Sequence, residues 1–143
     1  MVSKLLIDTN VVVDYFVDRQ PFSEIAQKVL RLNKNPNVTV SITASSTTDI
    51  FYIVRRELKD RRIVKSLLID LVTEMSVKIL PVTAEAIYIA LNLPWRDFED
   101  AVQYSVAQLN EIDAIVTRNV EDYKQSEIKV YTPEEIVETF NGE

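Results

Sequence analysis

The sequence contains no cysteine, no histidine and a single glycine among its 143 residues. The absence of cysteine excludes disulfides, thiolate metal ligands and cysteine nucleophiles, and it suits a reducing cytoplasm. The absence of histidine excludes a serine–histidine pair and the histidine ligands of zinc enzymes. A single glycine also disfavours the glycine-rich loops that bind nucleotide phosphates. Carboxylates are therefore the strongest remaining candidates for catalysis at neutral pH.

The bulk composition is that of a folded domain, with 47% hydrophobic and 27% charged residues. From the length of 143 residues we expect one domain that covers residues 1–143. Asp8 interrupts the N-terminal apolar run before it could serve as a signal peptide. No stretch approaches the roughly 18 apolar residues that a membrane span requires. We therefore expect a cytoplasmic protein without a membrane partner.

Short apolar runs rich in branched residues alternate with longer segments of helical periodicity. The runs cover residues 4–7, 38–42, 77–81 and 114–117, with a weaker fifth run at 128–131. Strands that are buried on both faces have continuous apolar sequences, and helices connect them as crossovers. The alternation predicts an α/β fold with a parallel sheet of four or five strands between two layers of helices.

Prolines and capping residues mark the expected helices. Thr43 or Ser45 can begin one helix, Asp97 another, and Pro133 stands in the first turn of the last. The expected helices begin near residue 11 and then cover about 21–32, 43–56, 62–74, 83–93, 97–110 and the segment from 133 onward.

Asp8 directly follows the first apolar run and precedes Thr9 and Asn10. Ligands of open parallel sheets bind beyond the carboxyl ends of the strands, so an acid at this position is a candidate functional residue. The side chains of Thr9 and Asn10 can bond the carboxylate and hold its direction. The alternative is that Asp8 only caps the helix that begins near Val11.

Asp49 lies in the segment TASSTTDIFYIV, which is otherwise apolar on its C-terminal side. Carboxylates are rarely buried unless they are paired or bind a metal, so this acid is a second candidate. The alternative is a solvent-facing side chain among the serines and threonines of the first helical turns.

Further acids and amides follow in two more segments. Asp97 and Asp100 are three residues apart at the start of a helix, where a divalent cation would offset their repulsion. An N-cap role for Asp97 is the alternative. Thr117, Asn119 and Asp122 follow the fourth apolar run. We expect all four groups of oxygen ligands to share one edge of the sheet.

Oxygen ligands without nitrogen or sulfur suit hard cations such as Mg²⁺ or Mn²⁺. One or two such ions can activate a water molecule and neutralise the charge that develops on a phosphate during hydrolysis. The sequence therefore favours metal-dependent phosphodiester chemistry that needs no histidine.

Four segments resemble, in order, the acidic motifs of PIN-domain nucleases, and the pattern is most similar to the VapC-like toxins of bacterial toxin–antitoxin pairs. The segments are LLIDTNVVVDYF, TTDIFYIVRR, DFEDAVQYSVA and IVTRN, and they span nearly the whole chain. The resemblance implies a metal-dependent endoribonuclease with RNA as its substrate, an antitoxin protein as a partner, and often a homodimer.

Carried over residue by residue, the resemblance implies that Asp8, Asp49 and Asp100 are the catalytic, metal-binding acids. Asn10 and Thr117 would support them. These three acids must then converge closely enough to bind one ion between them.

The chain departs from the family pattern at two positions. Many relatives have Glu where this chain has Asp49, and often have Asp where it has Asn119. A neutral amide is a weak ligand, so either Asp122 replaces Asn119 or a second metal ion is held poorly. Asp97 is a lesser candidate for the same site.

The net charge of −6 is unusual for a protein that binds nucleic acid, but the positive charge is concentrated. Arg55 and Arg56 begin a basic stretch less than two helical turns after Asp49. With Arg96 and Arg118, they are candidates for contact with the RNA backbone. A solvated basic face, or a docking site for an acidic partner, is the alternative.

Two other functions compete with the nuclease. An aspartate-based phosphatase would also use an acid after the first strand, but it would want a second acid near Asp8, where this chain has Ile7 and Asn10. The other is a catalytically weak PIN fold that binds RNA or a protein, which Asn119 makes credible.

Overall fold

The computed structural model describes residues 2–141. Between these residues the chain forms five strands and seven α-helices. In chain order they are β1 (Lys4–Ile7), α1 (Thr9–Phe16), α2 (Ser23–Leu30), β2 (Thr39–Thr43), α3 (Ala44–Leu58), α4 (Arg61–Val72), β3 (Lys78–Leu80), α5 (Ala84–Leu91), α6 (Phe98–Leu109), β4 (Ala114–Val116), β5 (Lys129–Tyr131) and α7 (Pro133–Asn141). Short 3₁₀ turns cover Leu32–Lys34 and Val120–Tyr123.

The five strands form one parallel sheet in the order β3-β2-β1-β4-β5. The central strand, β1, pairs Leu5 with Val40 of β2 on one side and with Ala114 of β4 on the other. The predicted α/β fold is confirmed, and the weaker apolar run forms the edge strand β5. The largest differences are at the helix ends: α2, predicted from 21 to 32, begins at Ser23 and ends at Leu30.

Alternate residues of β1 point to opposite faces of the sheet, as the pleat requires. Leu5 and Ile7 pack into a core with α1, α2, α3, α4 and α7. Leu6 packs on the other face against α6 and the turn at Tyr123. Helices α5 and α6 pack together on that side. The sheet therefore lies between two helical layers, as the continuous apolar runs indicated.

Three helices begin where strands end, because a polar side chain caps each helix at that point. The Asp8 side chain accepts from the Thr9 backbone amide, Thr43 from that of Ser46, and Thr83 from that of Ala86. The helices α1, α3 and α5 thus start at the carboxyl edge of the sheet. None of the helices described for residues 2–141 is long and apolar enough to cross a membrane.

A candidate acidic active site

A cleft of about 580 Å³ lies at the carboxyl edge of the sheet. Four acids line it, namely Asp8, Asp49, Glu99 and Asp100. The rest of its lining consists of the polar residues Thr9, Ser45, Ser46, Thr48 and Gln103 and the apolar residues Tyr52, Ile53, Val82, Ile87, Phe98 and Val102. The three acids that the resemblance singled out therefore share one cleft, and one of its walls is apolar.

Asp8 is held at the bottom of the cleft by four hydrogen bonds. Its Oδ1 accepts from the Thr9 backbone amide and from the Gln103 side-chain amide, both at 2.8 Å. Its Oδ2 accepts from the Thr117 hydroxyl at 2.8 Å and from the Asn10 amide at 3.4 Å. The carboxyl caps α1, as the alternative interpretation predicted, and it also faces the cleft.

The pKa of Asp8 is raised above its usual value, because the side chain is only 8% exposed and burial disfavours the charged form. The hydrogen bonds from Thr117, Thr9 and Gln103 oppose this shift, because they stabilise the carboxylate. Asn10 and Thr117, the two residues expected to support Asp8, both contact it. These hydrogen bonds therefore fix the direction of the carboxylate and partly offset the effect of burial on its pKa.

Gln103 was not predicted from the sequence. The Thr43 hydroxyl donates to its Oε1 at 3.1 Å, and its amide donates to Asp8. A signal was present: Gln103 follows Asp100 by three residues, so both lie on one face of α6, and it is a polar residue within the buried stretch from Ala101 to Ala107.

The pKa of Asp100 is raised from 3.8 to about 7. Burial is the main cause, and the charges of Asp8, Asp97 and Asp122 raise the pKa further. The Tyr123 hydroxyl donates to Asp100 at 3.3 Å and opposes the shift. Asp97 accepts from the backbone amide of Asp100, so it is the N-cap of α6, as its alternative interpretation predicted. Asp100 thus exchanges its proton near neutral pH.

Asp49 and Glu99 both line the cleft, and their charges interact. The negative charge of Asp49 is the main cause of the raised pKa of Glu99, followed by burial and by the charges of Asp97 and Asp8. Asp49 is partly buried and Glu99 is exposed. Glu99 was also missed at the sequence level, although it stands next to Asp100 in the segment DFEDA.

Asp122 and Asn119, the two alternatives for the fourth motif, differ in their relation to the cleft. The charge of Asp122 raises the pKa of both Asp8 and Asp100, so it acts on the cleft. Asn119 is exposed, and its backbone amide donates to the Thr117 hydroxyl at 3.0 Å. Of the two alternatives for the fourth motif, Asp122 is the one that adds negative charge.

The donor chemistry of the cleft fits a hard divalent cation. Its acids carry only oxygen ligands, and none of them has a Lys or Arg ion-pair partner among residues 2–141. However, within residues 2–141 no three acids stand close enough together to form a complete metal-binding group. The expected convergence is therefore a shared cleft with separated, mutually repelling carboxylates. Mg²⁺ keeps several waters and needs only one or two carboxylates, so this arrangement is compatible with it.

The Arg118 side chain makes contacts within the fold. Its guanidinium donates to Asp14, with 3.1 Å between Nη2 and Oδ1, and lies 4.2 Å from the ring centroid of Phe22. Asp14 is 1% exposed and also pairs with Arg19. These contacts engage the guanidinium within the fold, and contact between Arg118 and RNA stays a prediction. Arg96 is exposed just before α6.

A parallel α/β sheet with an acidic cleft beyond its carboxyl edge defines the general class of the protein. The family model described as the PIN domain matches residues 4–121. The chain therefore belongs to the PIN-domain family of nucleases, as the four motifs predicted. No curated protein matches the sequence closely enough to count as a relative.

Solved structures share the fold at low sequence identity. A toxin–antitoxin complex from Klebsiella pneumoniae has a chain with 20% identity and a TM-score of 0.66, over 90% of this chain and 97% of that one. VapBC2 from Rickettsia felis, bound to a DNA fragment of its promoter, has a chain with 18% identity and a TM-score of 0.66, over 90% of this chain and 98% of that one. VapC20 from Mycobacterium tuberculosis, a Sarcin-Ricin loop cleaving toxin, has 20% identity and a TM-score of 0.62, over 78% of this chain and 86% of that one.

Proposed function

We propose that this protein is a Mg²⁺- or Mn²⁺-dependent endoribonuclease and the toxin of a toxin–antitoxin pair. The observation that carries the proposal is the group of acids that faces one cleft without basic partners, in which Asp100 has a pKa of about 7. Carboxylates that raise one another's pKa and have no basic partners are typical of sites that bind cations.

Asp8, Asp49 and Asp100 would hold the metal, with Asp97, Asn119 and Asp122 as further candidates. A bound divalent ion supplies an activated water and neutralises charge on the scissile phosphate. The chain contributes the remaining functions. Thr117, Asn10 and Gln103 would orient Asp8, and the apolar wall would exclude water from the reacting phosphate.

RNA as the substrate and an antitoxin as the partner are supported by the relatives. One is named as a Sarcin-Ricin loop cleaving toxin, and another is a toxin–antitoxin complex. Arg55, Arg56 and Arg96 are exposed cations suited to an RNA backbone. A cytoplasmic location, which the composition favours, and a homodimer, which the resemblance implies, complete the proposal.

The test is cleavage of single-stranded RNA with Mg²⁺, with Mn²⁺ and with EDTA. We expect cleavage that requires the metal and is lost in Asp8→Asn and in Asp100→Asn. Asp70→Asn is the matched control, because Asp70 is an exposed acid on α4 that lines no part of the cleft. Cleavage that persists in EDTA, or in both site variants, would contradict the proposal.

A catalytically weak RNA-binding module is the second candidate. It is favoured by Asn119 in the fourth motif and by the absence of a complete three-acid group among residues 2–141. RNA binding without any metal-dependent cleavage by the parent protein would select it. The phosphatase is disfavoured because Asn10, which stands where a second acid is wanted, donates to Asp8. An aryl phosphate assay with Mg²⁺ tests it.

A further inference from the structure

A second cavity, of about 340 Å³, lies between the end of α3 and the start of α4. Its lining consists of Arg55, Arg56, Lys59 and Arg61, which we call the basic groove. All four side chains are exposed, and none forms an ion pair with an acid in the part of the chain that the structure describes. The basic groove is therefore a compact, uncompensated positive surface.

Helix stability explains only part of this cluster. Arg55 and Arg56 stand in the last turn of α3, where the helix dipole favours cations. Arg61 is the first residue of α4, where the dipole disfavours them. Lys59 is the C-cap residue of α3, and its left-handed φ of 56° is a common way for a helix to end. The position of Arg61 is thus not explained by helix stability.

Two acids, Glu57 and Asp60, stand between these residues in the sequence, and neither forms an ion pair with the groove within residues 2–141. Asp60 caps α4 by accepting from the backbone amides of Arg62 and Ile63, at 2.9 and 3.4 Å. Its carboxylate is therefore engaged by the helix, and an external anion remains free to bind the four cations.

Tyr52 connects the acidic cleft to the basic groove. Its ring lines the cleft and is 57% exposed, and the guanidinium carbon of Arg56 lies 5.6 Å from the ring centroid. Asp49, Tyr52 and Arg56 follow one another along one side of α3, and about 10 Å of helix separates the first from the last. Acid, exposed aromatic ring and cations therefore form one continuous track.

We propose that Tyr52 and the basic groove form a subsite for single-stranded RNA beside the acidic cleft, an inference that rests on the proposed nuclease function. A base stacks on the Tyr52 ring, and the adjoining phosphates bind Arg55, Arg56, Lys59 and Arg61. Exposed aromatic rings interleaved with cations are the usual way in which proteins bind single strands. An acidic peptide would use the cations but has no base to stack on the ring, so the ring favours RNA.

The experiment measures the binding of a short fluorescent single-stranded RNA by anisotropy, in EDTA and over a range of salt concentrations. Tyr52→Leu should weaken binding about 5-fold or more through the loss of stacking. Tyr52→Phe keeps the ring, and the hydroxyl makes no hydrogen bond within residues 2–141, so this variant should bind like the parent protein. The pair R55Q/R56Q should reduce the slope of log Kd against log salt by about 1.4, or about 0.7 for each phosphate that is no longer neutralised.

The matched charge control is K34Q/K129Q. It also removes two positive charges, but from exposed positions at the amino-terminal edge of the sheet. It should leave the salt slope unchanged. The proposal is overturned if this pair weakens binding as much as R55Q/R56Q, or if Tyr52→Phe binds as weakly as Tyr52→Leu. It is also overturned if poly-glutamate binds the parent more tightly than RNA and loses that binding in R55Q/R56Q.

Cleavage of the same RNA with Mn²⁺ separates this inference from the proposed function. If the parent cleaves and the groove variants bind RNA normally, the subsite is overturned and the nuclease stands. If binding depends on Tyr52 and the groove but the parent never cleaves, the subsite is upheld and the nuclease is overturned.

Discussion

The side-chain amide of Gln103 donates to Asp8 Oδ1 at 2.8 Å and so joins the middle of α6 to the end of β1. The orientation of this amide is set by Thr43, whose hydroxyl donates to Gln103 Oε1 at 3.1 Å. Because the oxygen is occupied in this way, the nitrogen must face Asp8. Strand β2 and helix α6 therefore act together on the charge state of one carboxylate.

Gln103→Leu should reduce RNA cleavage by about 10-fold or more, which is the usual effect of removing a group that orients a metal ligand. The hydrogen bond from Gln103 lowers the pKa of Asp8, so its loss should raise that pKa further. The acidic limb of the pH–rate profile should therefore move to higher pH. The control is Gln108→Leu, an exposed glutamine on the same helix. A loss of activity without any movement of the limb would contradict a role through Asp8.

Metal binding should depend steeply on pH, because Asp100 must lose its proton to bind a cation. Its pKa is about 7, raised mainly by burial and then by Asp8. Below that value the apparent Mn²⁺ affinity should fall by about tenfold for each pH unit. The measurement is a titration with Mn²⁺ at each pH, in which binding is monitored through the rise in melting temperature. An affinity that stays constant between about pH 6 and 8 would show that Asp100 does not control binding.

Asp100→Asn should stabilise the metal-free protein at alkaline pH. Because the folded pKa is raised to about 7 from 3.8, the stability that Asp100 contributes is present at low pH and is lost as the pH rises through about 7. After discounting for half exposure, we expect Tm in EDTA at about pH 8 to rise by about 2–4 °C, or roughly 1 kcal/mol. The gain should shrink at about pH 5 and be accompanied by a loss of Mn²⁺ stabilisation.

The local features of this fold could be predicted because each depends on a short segment of sequence. Strand β1 follows from the continuous apolar run that ends before Asp8, and α3 and α6 begin at the caps Thr43 and Asp97 that the sequence indicated. These features depend on residues within a few positions of one another, so a single sequence is enough to find them.

The contacts across the site could not be predicted in the same way. Gln103 and Asp8 are 95 residues apart, and Arg118 and Asp14 are 104 residues apart. Such contacts depend on how helices rotate and pack on the sheet, which periodicity does not determine. For that reason the sequence did not show that the Arg118 guanidinium, a predicted RNA contact, pairs with the buried Asp14.

Asp122→Asn should lower the pKa of Asp100, because the charge of Asp122 raises it. The pH midpoint of Mn²⁺ binding should then move to lower pH, unless Asp122 itself is a ligand, in which case affinity falls at every pH. Asn119→Ala should have the smaller effect of the two substitutions, since a neutral amide is a weak ligand and the contact of Asn119 with Thr117 is made by the backbone amide. A larger effect of Asn119→Ala than of Asp122→Asn would reverse our assignment of the fourth motif.

Asp14→Ala should destabilise the fold strongly. Asp14 is 1% exposed and neutralises both Arg19 and Arg118, and the Arg118 side chain is itself only 29% exposed. Removing one partner of a buried ion pair leaves an unpaired charge that is poorly solvated, so we expect a loss of about 3 kcal/mol in the free energy of unfolding by urea. Glu24→Ala removes the exposed pair with Lys28 and should change stability by no more than about 0.5 kcal/mol. Equal effects of the two substitutions would mean that solvent screens Asp14 as well, and that Arg118 is free to bind RNA after all.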